Sequence, residues 1–161
     1  MIQKRELFSS LVSSFKKGGQ ESKITIRPPY FNEEDDFLKS CIECNGSCSI
    51  VCQEKIISIQ DDRTPFLDFS KSGCTYCDEC AKACEFGVLR IEYKKDIKVK
   101  ITIDMLKCLS WDKTMCFSCK ESCLEDAINF LGLFRPEIDI DKCTSCGFCI
   151  SVCPTEAIKL A

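Results

Sequence analysis

The chain has 161 residues, of which 16 are cysteines and none is histidine. Cysteine at this frequency is typical of a scaffold organised by cysteine chemistry. The absence of histidine excludes His-ligated zinc or haem, Rieske centres and catalytic triads that need an imidazole base. The formal net charge of -3 provides no basic field for nucleic acid. No apolar run approaches the roughly 18 to 20 residues that span a bilayer, so we expect no membrane span.

The first predicted element is an amphipathic helix over residues 4–16, where Leu7, Leu11 and Phe15 recur at helical spacing before a Gly-Gly pair. The segment QKRELF is similar to a twin-arginine export motif with Lys4 in place of the first arginine. The serine-rich residues that follow it lack the apolar core of a secretory signal, so we predict no export signal. The helix either docks on its own domain or acts as an arm that contacts a partner.

Four cysteine groups recur along the rest of the chain, with their first cysteines about 34 residues apart. In each group, apolar residues follow four, five and seven positions after the last cysteine. One unit is therefore used four times. The groups are Cys41, Cys44, Cys48, Cys52; Cys74, Cys77, Cys80, Cys84; Cys108, Cys116, Cys119, Cys123; and Cys143, Cys146, Cys149, Cys153.

The cysteine groups have three alternative interpretations: disulfides, zinc sites and iron-sulfur sites. A disulfide scaffold requires an oxidising compartment, for which the sequence offers no signal peptide. A structural zinc site takes two Cys-x-x-Cys knuckles separated by about a dozen or more residues, whereas each of these groups is compact. The spacing Cys-x2-Cys-x2-Cys-x3-Cys is that of bacterial 4Fe-4S ferredoxins. The second and fourth groups match it without change, the fourth with Pro154 completing the pattern.

The ligand sets depend on how the groups pair. Three closely spaced thiolates reach three corners of a cubane, and in two-cluster ferredoxins the last cysteine of one motif reaches the other cluster. Nested pairing joins the first group to the fourth and the second to the third, and it remains an alternative. The charged linker EYKKDIKVK favours a break near Asp96 and therefore sequential pairing. Sequential pairing predicts Cys41, Cys44, Cys48 with Cys84; Cys74, Cys77, Cys80 with Cys52; Cys108, Cys116, Cys119 with Cys153; and Cys143, Cys146, Cys149 with Cys123.

The sequence pattern of each repeat predicts a strand, a cysteine loop, a short helix and a second strand. The runs PFLDF, IKVKITI and EIDI precede the last three groups, and the tails end in SI, RI, NF and KL. Units this small cannot bury a core alone, so we expect them to join in pairs around the clusters. The predicted fold class is α+β. The predicted structure begins with an N-terminal helical arm and Arg-Pro-Pro linker over residues 1–36. Two tandem two-cluster ferredoxin-like domains follow, over residues 37–96 and 97–161.

Two groups depart from the ferredoxin spacing. The first has one additional residue between its second and third cysteines, which Gly46 can accommodate in a turn. The third has an insert, Leu109 to Met115, between its first two cysteines. We expect Trp111 near the tip of this loop or folded onto the cluster as a shield. Neither group lacks a cysteine, so four 4Fe-4S clusters are predicted, with an empty or labile irregular site as the alternative.

Apolar residues beside the cysteines are predicted to limit the access of water to the clusters, either as plain core or as tuners of reduction potential. They are Ile42, Ile50, Phe86, Ile128, Phe148, Ile150 and Ile158.

Three features together resemble the NapF family of ferredoxin-type proteins from periplasmic nitrate reductase systems. They are the basic and apolar start KRELF, the segment Arg27-Pro28-Pro29-Tyr30, and the third group with its opening CLSWDKTMC. The chain departs from the family at Lys4, at Tyr30 in place of the usual tryptophan, and at the additional residue in the first group.

The resemblance implies a cytoplasmic iron-sulfur protein that interacts with the molybdenum catalytic subunit of periplasmic nitrate reductase before its export and helps to mature it. The segment Arg27 to Tyr30 is a candidate contact or a linker that packs on the first domain. The alternative function is a general ferredoxin-type electron carrier or an electron-wire subunit of another oxidoreductase complex. No nucleophile with its base and no open metal position is visible, so we expect no enzymatic turnover.

Overall fold

The computed structural model describes residues 25–161, so the helix predicted over residues 4–16 lies outside the described residues. Within that range no helix is both long and apolar enough to cross a membrane. In chain order the elements are α1 (Asp35–Ser40), α2 (Ser47–Val51), β1 (Ile57–Ile59), β2 (Pro65–Leu67), α3 (Glu79–Lys82), a 3-10 turn (Ile91–Tyr93), β3 (Ile101–Ile103), α4 (Ser118–Glu121), β4 (Ile128–Phe130), β5 (Pro136–Ile138), α5 (Phe148–Ser151) and β6 (Ile158–Leu160).

The third and fourth repeats interlock through two antiparallel strand pairs. Strand β3, before the third cysteine group, pairs with β6, after the fourth, so that Ile101 lies opposite Leu160. Strand β4, after the third group, pairs with β5, before the fourth, so that Ile128 lies opposite Ile138. Both pairs join the two repeats. We refer to residues 97–161 as the second half and to residues 25–96 as the first half.

The first and second repeats have one strand pair of the same kind and a reduced version of the other. Strands β1 and β2 pair antiparallel. The second pair is only an isolated bridge between Phe31 and Leu89, with the Arg90 amide donating to the Tyr30 carbonyl at 2.8 Å. Pro28 and Pro29 have no N–H to donate, which explains why no ladder extends there. The predicted strand at the end of the second tail is therefore wrong, and a 3-10 turn follows instead.

The segment from Arg27 to Tyr30 packs on the first half. The Arg27 guanidinium donates to the Thr64 hydroxyl at 2.8 Å and to the Pro65 carbonyl at 2.7 Å. Its side chain is only 9% exposed. The Tyr30 ring is buried, and its hydroxyl accepts a hydrogen bond from the Asp78 amide at 3.1 Å. Of the two alternatives from the sequence, the structure therefore favours the packed linker.

The two halves have apolar cores of different size. The smaller core, in the second half, is formed by Ile101, Cys119, Ile128, Cys149 and Ile158. The larger core belongs to the first half, with Ile97 added from the start of the second, and it consists of Ile26, Tyr30, Phe37, Cys41, Cys48, Ile56, Ile57, Leu67, Phe69, Cys80, Ala81, Val88, Leu89 and Ile97.

The predicted apolar shell is correct in the second half and wrong in the first. Ile128 and Ile158 are buried, and Phe148 and Ile150 are partly buried. Ile42, Ile50 and Phe86 are exposed instead, Ile50 by 78%. Ile50 lies two residues after Cys48 on the same short helix, and residues at that spacing face different sides. Adjacency to a cysteine in sequence therefore did not imply adjacency to the site.

Candidate iron-sulfur sites

The structure brings the cysteines together in four sets, which we name after the group that supplies three members. Three of the sets each line a separate cavity. The second site consists of Cys74, Cys77, Cys80 and Cys52. The third site consists of Cys108, Cys116, Cys119 and Cys153. The fourth site consists of Cys143, Cys146, Cys149 and Cys123.

The first site is identified by the electrostatic influence of its thiols on one another. Burial, together with the charges of neighbouring Cys44 and Cys84 thiolates, raises the pKa of Cys41 to about 11 and that of Cys48 to about 12. Cys84 belongs to the second group, so this set also takes one member from the other repeat of its half. The grouping in all four sites is the one that sequential pairing predicts.

A short helix positions the third cysteine of each group. The residues that immediately precede α2, α3 and α5 are Gly46, Asp78 and Gly147. All three have the left-handed backbone conformation, with φ of 74°, 66° and 88°. Such a residue turns the chain sharply from the cysteine loop into the helix. Gly46 therefore accommodates the additional residue of the first group as predicted. The buried third cysteines are Cys48, Cys80, Cys119 and Cys149.

The insert of the third group closes on itself in tight turns. The Asp112 amide donates to the Cys108 carbonyl at 3.2 Å, and the Thr114 amide donates to the Leu109 carbonyl at 2.9 Å. The chain thus returns to its starting point, and Cys116 lines the same cavity as Cys108. The long gap in the spacing does not separate the two cysteines in space.

Trp111 folds against the hairpin of β4 and β5. Its indole N–H donates to the Pro136 carbonyl at 3.4 Å, and the Arg135 guanidinium lies 5.7 Å from the centre of the ring. Pro136 also lines the cavity of the third site. Trp111 therefore neither projects freely from the loop nor lines the cavity. It packs against Pro136, which forms part of the cavity wall.

Backbone amides donate to cysteine sulfurs in every site. A donated N–H favours the charged thiolate over the neutral thiol, and hydrogen bonds to sulfur are one means by which proteins adjust cluster potentials. The distances from amide nitrogen to cysteine Sγ range from 3.2 to 3.4 Å. The donor amides and their acceptors are Gly46 and Cys44, Tyr76 and Cys74, Leu89 and Cys84, Ala127 and Cys123, and Ala157 and Cys153.

Burial disfavours the thiolate form of several cysteines. It raises the pKa of Cys80 and Cys149 to about 12, with neighbouring thiolates adding to the effect. Cys153 behaves differently, because backbone hydrogen bonds from Thr155 and Ala157 outweigh its burial and lower its pKa. Since metals bind thiolates, metal binding at these sites must release protons.

The donor set fits a cubane cluster. Among residues 25–161, no three metal-ligating side chains converge as a single ion requires. A 4Fe-4S cluster has a different requirement, since each iron takes one thiolate at its own corner. Four thiols around an apolar cavity, with amides aimed at their sulfurs, meet that requirement.

The sequence analysis missed the residues at which the two halves meet. Tyr76 and Ser145 occupy equivalent positions in the second and fourth groups. The Tyr76 hydroxyl donates across the junction to Thr144, and the Ser145 hydroxyl donates to Val99 within the second half. The sequence feature that could have indicated these residues is the shared opening Cys-Thr-x-Cys of the second and fourth groups, which the first and third groups lack.

Comparison with known proteins agrees with the site chemistry. Residues 136–159 match the family described as 4Fe-4S binding domain. The chain is 30% identical to the ferredoxin-type protein NapF of Escherichia coli K12, over 83% of this chain and 82% of that protein. It is 31% identical to NapF of Haemophilus influenzae, over 97% and 89%. It is also 30% identical to the methylamine utilization ferredoxin-type protein MauM of Methylorubrum extorquens, over 80% and 67%. The resemblance drawn from the motifs is thus confirmed, and the chain belongs to the NapF family of ferredoxin-type iron-sulfur proteins.

Proposed function

We propose that the chain is a cytoplasmic electron carrier with one 4Fe-4S cluster in each of its four sites. The sites belong to two tandem two-cluster ferredoxin-like domains, residues 37–96 and 97–161, which follow an arm of residues 1–36. One observation carries the proposal: every site combines three cysteines of one group with the last cysteine of the other group in the same half. This is the ligand arrangement of two-cluster ferredoxins.

A bound 4Fe-4S cluster supplies one-electron redox chemistry. The residues of this chain would hold it through four thiolates, keep water away and adjust its potential. Amide donors such as Ala157, which reaches Cys153 at 3.2 Å, favour the more negatively charged reduced state. Buried Ile128 and Ile158 line two of the cavities and oppose that effect by removing solvent. We propose no catalytic turnover for the chain itself.

The number of clusters is tested by anaerobic reconstitution of the full chain. We expect about 16 iron and about 16 acid-labile sulfide per chain, and a visible absorbance that bleaches on reduction with dithionite. A count of about 8 that no condition raises would contradict a cluster in every site. Alkylation before and after iron removal, read by mass spectrometry, identifies which cysteines are protected.

We further propose that the partner is the molybdenum catalytic subunit of periplasmic nitrate reductase, which the protein meets before export and helps to mature. Similarity to NapF of two bacteria along most of the chain supports this. The test is a pull-down of the precursor catalytic subunit. We expect retention by the full chain and weaker retention after deletion of residues 1–24, which leaves Arg27 and its contacts in place. Absence of retention by the full chain would contradict the partner.

A general electron carrier is the second candidate, because the relative MauM is named for methylamine utilization. Gene deletion separates the two functions. Loss of a maturation protein lowers the amount of active nitrate reductase formed. Loss of an electron-wire subunit leaves a normal amount of enzyme that lacks electrons, which an artificial one-electron donor would restore.

A further inference from the structure

Within each half, two sites are neighbours. Helices α2 and α3 pack together in the first half and carry Cys48 and Cys80. Helices α4 and α5 pack in the same way in the second half and carry Cys119 and Cys149. The first site therefore adjoins the second, and the third adjoins the fourth.

Between the halves, the second and fourth sites meet directly. The Cys74 amide donates to the Cys146 carbonyl at 2.7 Å. The two residues belong to different sites and to different halves. One hydrogen bond thus links a ligand position of the second site to a ligand position of the fourth.

Tyr76 fastens this junction, and Ser145, at the equivalent position, makes its hydrogen bond within the second half. Tyr76 and Ser145 both have a left-handed backbone, with φ of 53° and 57°. The Tyr76 hydroxyl donates to the Thr144 carbonyl at 2.6 Å and accepts from the Ile97 amide at 3.1 Å. The Ser145 hydroxyl donates to the Val99 carbonyl at 2.6 Å. An unfavourable backbone conformation at both positions requires compensation from surrounding contacts, and these hydrogen bonds provide it.

Two glycines allow the loops to approach this closely. A Cβ atom added at Gly73 would lie 2.5 Å from the Phe148 amide nitrogen, in the other half. A Cβ atom added at Gly147 would lie 2.4 Å from the ring of Phe69. Each loop therefore presents a glycine to an aromatic residue of the other half, and a side chain at either position would push the halves apart.

We propose that the Cys74–Cys146 junction joins the four sites into one electron relay with the order first, second, fourth, third. This inference rests on the proposed function, because it requires clusters in the sites. Each transfer moves one electron from a reduced site to its oxidised neighbour, and no bond is made or broken. A one-electron donor supplies one end of the relay and a one-electron acceptor drains the other, so partners act at the first and third sites.

The main test compares two full-length chains that each retain two sites. Substitutions Cys41→Ser, Cys44→Ser, Cys108→Ser and Cys116→Ser leave the second and fourth sites. Substitutions Cys77→Ser, Cys80→Ser, Cys143→Ser and Cys149→Ser leave the first and third. After full reduction, electron paramagnetic resonance should show magnetic interaction between clusters in the first chain and its loss in the second. Two loaded but non-interacting sites in the first chain, or equal interaction in both chains, would overturn the relay order.

A second test uses the intact set of cysteines, in case the multiple variants do not load. Gly73→Ala should weaken the magnetic interaction between the halves while the iron content stays unchanged. Gly132→Ala is the control for backbone strain without a steric clash, because Gly132 has a φ of 71° and an added Cβ there meets no atom within 4 Å. Tyr76→Phe should act in the same direction, with exposed Tyr93→Phe as its control. Spectra of Gly73→Ala and Tyr76→Phe identical to wild type would contradict the proposal.

The iron content separates this inference from the proposed function. A wild-type chain that binds well below about 16 iron contradicts the four-cluster carrier itself. A wild-type chain that binds the full amount, but whose second and fourth clusters do not interact, contradicts only the relay. Loaded wild-type protein with interaction that Gly73→Ala diminishes supports both.

Discussion

The two halves of the molecule carry the same pair of cysteine sites but close around them differently. The second half uses two full strand pairs, β3 with β6 and β4 with β5. The first half keeps one pair and replaces the other with the Arg27–Tyr30 segment, a single bridge and buried side chains. The cysteine loops and helices are therefore the part that both halves share, whereas a strand pair that closes one half is replaced by side-chain packing in the other.

The halves also differ in how much of their stability comes from apolar burial. The first half has the larger core, to which Tyr30 and Phe37 add large buried rings. The second half buries few apolar side chains besides its cysteines. Metal binding contributes directly to folding where a preformed core is small. The second half should therefore depend more strongly on its clusters.

Removal of iron should have the largest effect on stability, and this effect should differ between the halves. With an iron chelator under anaerobic, reducing conditions, we expect the amides of β3 to β6 to lose protection from hydrogen exchange before those of β1 and β2. The reason is the smaller apolar core of the second half. Equal loss of protection in both halves, measured by mass spectrometry, would contradict the proposed difference.

Loss of a crossing cysteine tests which groups share a site. Cys84→Ser should remove about four iron and expose Cys41, Cys44 and Cys48 to alkylation, because they line the same site. Under nested pairing, Cys84→Ser would expose cysteines of the third group instead.

Cys153→Ser is the matched variant in the second half and should expose Cys108, Cys116 and Cys119. Mass spectrometry of the alkylated chain identifies the affected group in both variants.

Arg27→Ala should destabilise the first half by about 2 kcal/mol, because charge-assisted hydrogen bonds to Thr64 and Pro65 are lost from a nearly buried side chain. Arg27→Lys should cost less, since it keeps the charge but not the planar fork of donors. Chemical denaturation followed by hydrogen exchange reports the change by region. Arg135→Ala serves as a control in the second half. An Arg27→Ala effect spread evenly over both halves would show that the segment does not act as a local replacement for a strand.

Trp111→Ala should have the smallest effect, about 1 kcal/mol, confined to the second half. The ring is partly exposed, and it contributes a long hydrogen bond to Pro136 and a contact with the Arg135 guanidinium. Trp111→Phe should lie between wild type and Trp111→Ala. Air exposure followed by alkylation measures the consequence at the third site, where we expect Cys108 and Cys116 to become reactive sooner. Unchanged reactivity would show that Trp111 does not support the wall of that site.

The sequence by itself determined the chemistry of the sites and the position of most strands. Cluster ligation depends on thiolates a few residues apart, so local spacing encodes it directly. Strands β1 to β6 lie within or beside their predicted β-favouring runs and tails, because each apolar segment has one face to bury. The end of the second tail is the exception, since its partner segment contains Pro28 and Pro29.

Only the tertiary structure decided the features that depend on which distant surfaces fit together. Spacing cannot reveal that the Leu109–Met115 insert closes on itself or that Trp111 packs on Pro136. It also cannot reveal that Cys74 and Cys146 meet. That contact requires a glycine on each loop and an aromatic residue from the other half, which are far apart in sequence. The same cysteine repeat therefore specifies the four sites, while long-range packing specifies how they are connected.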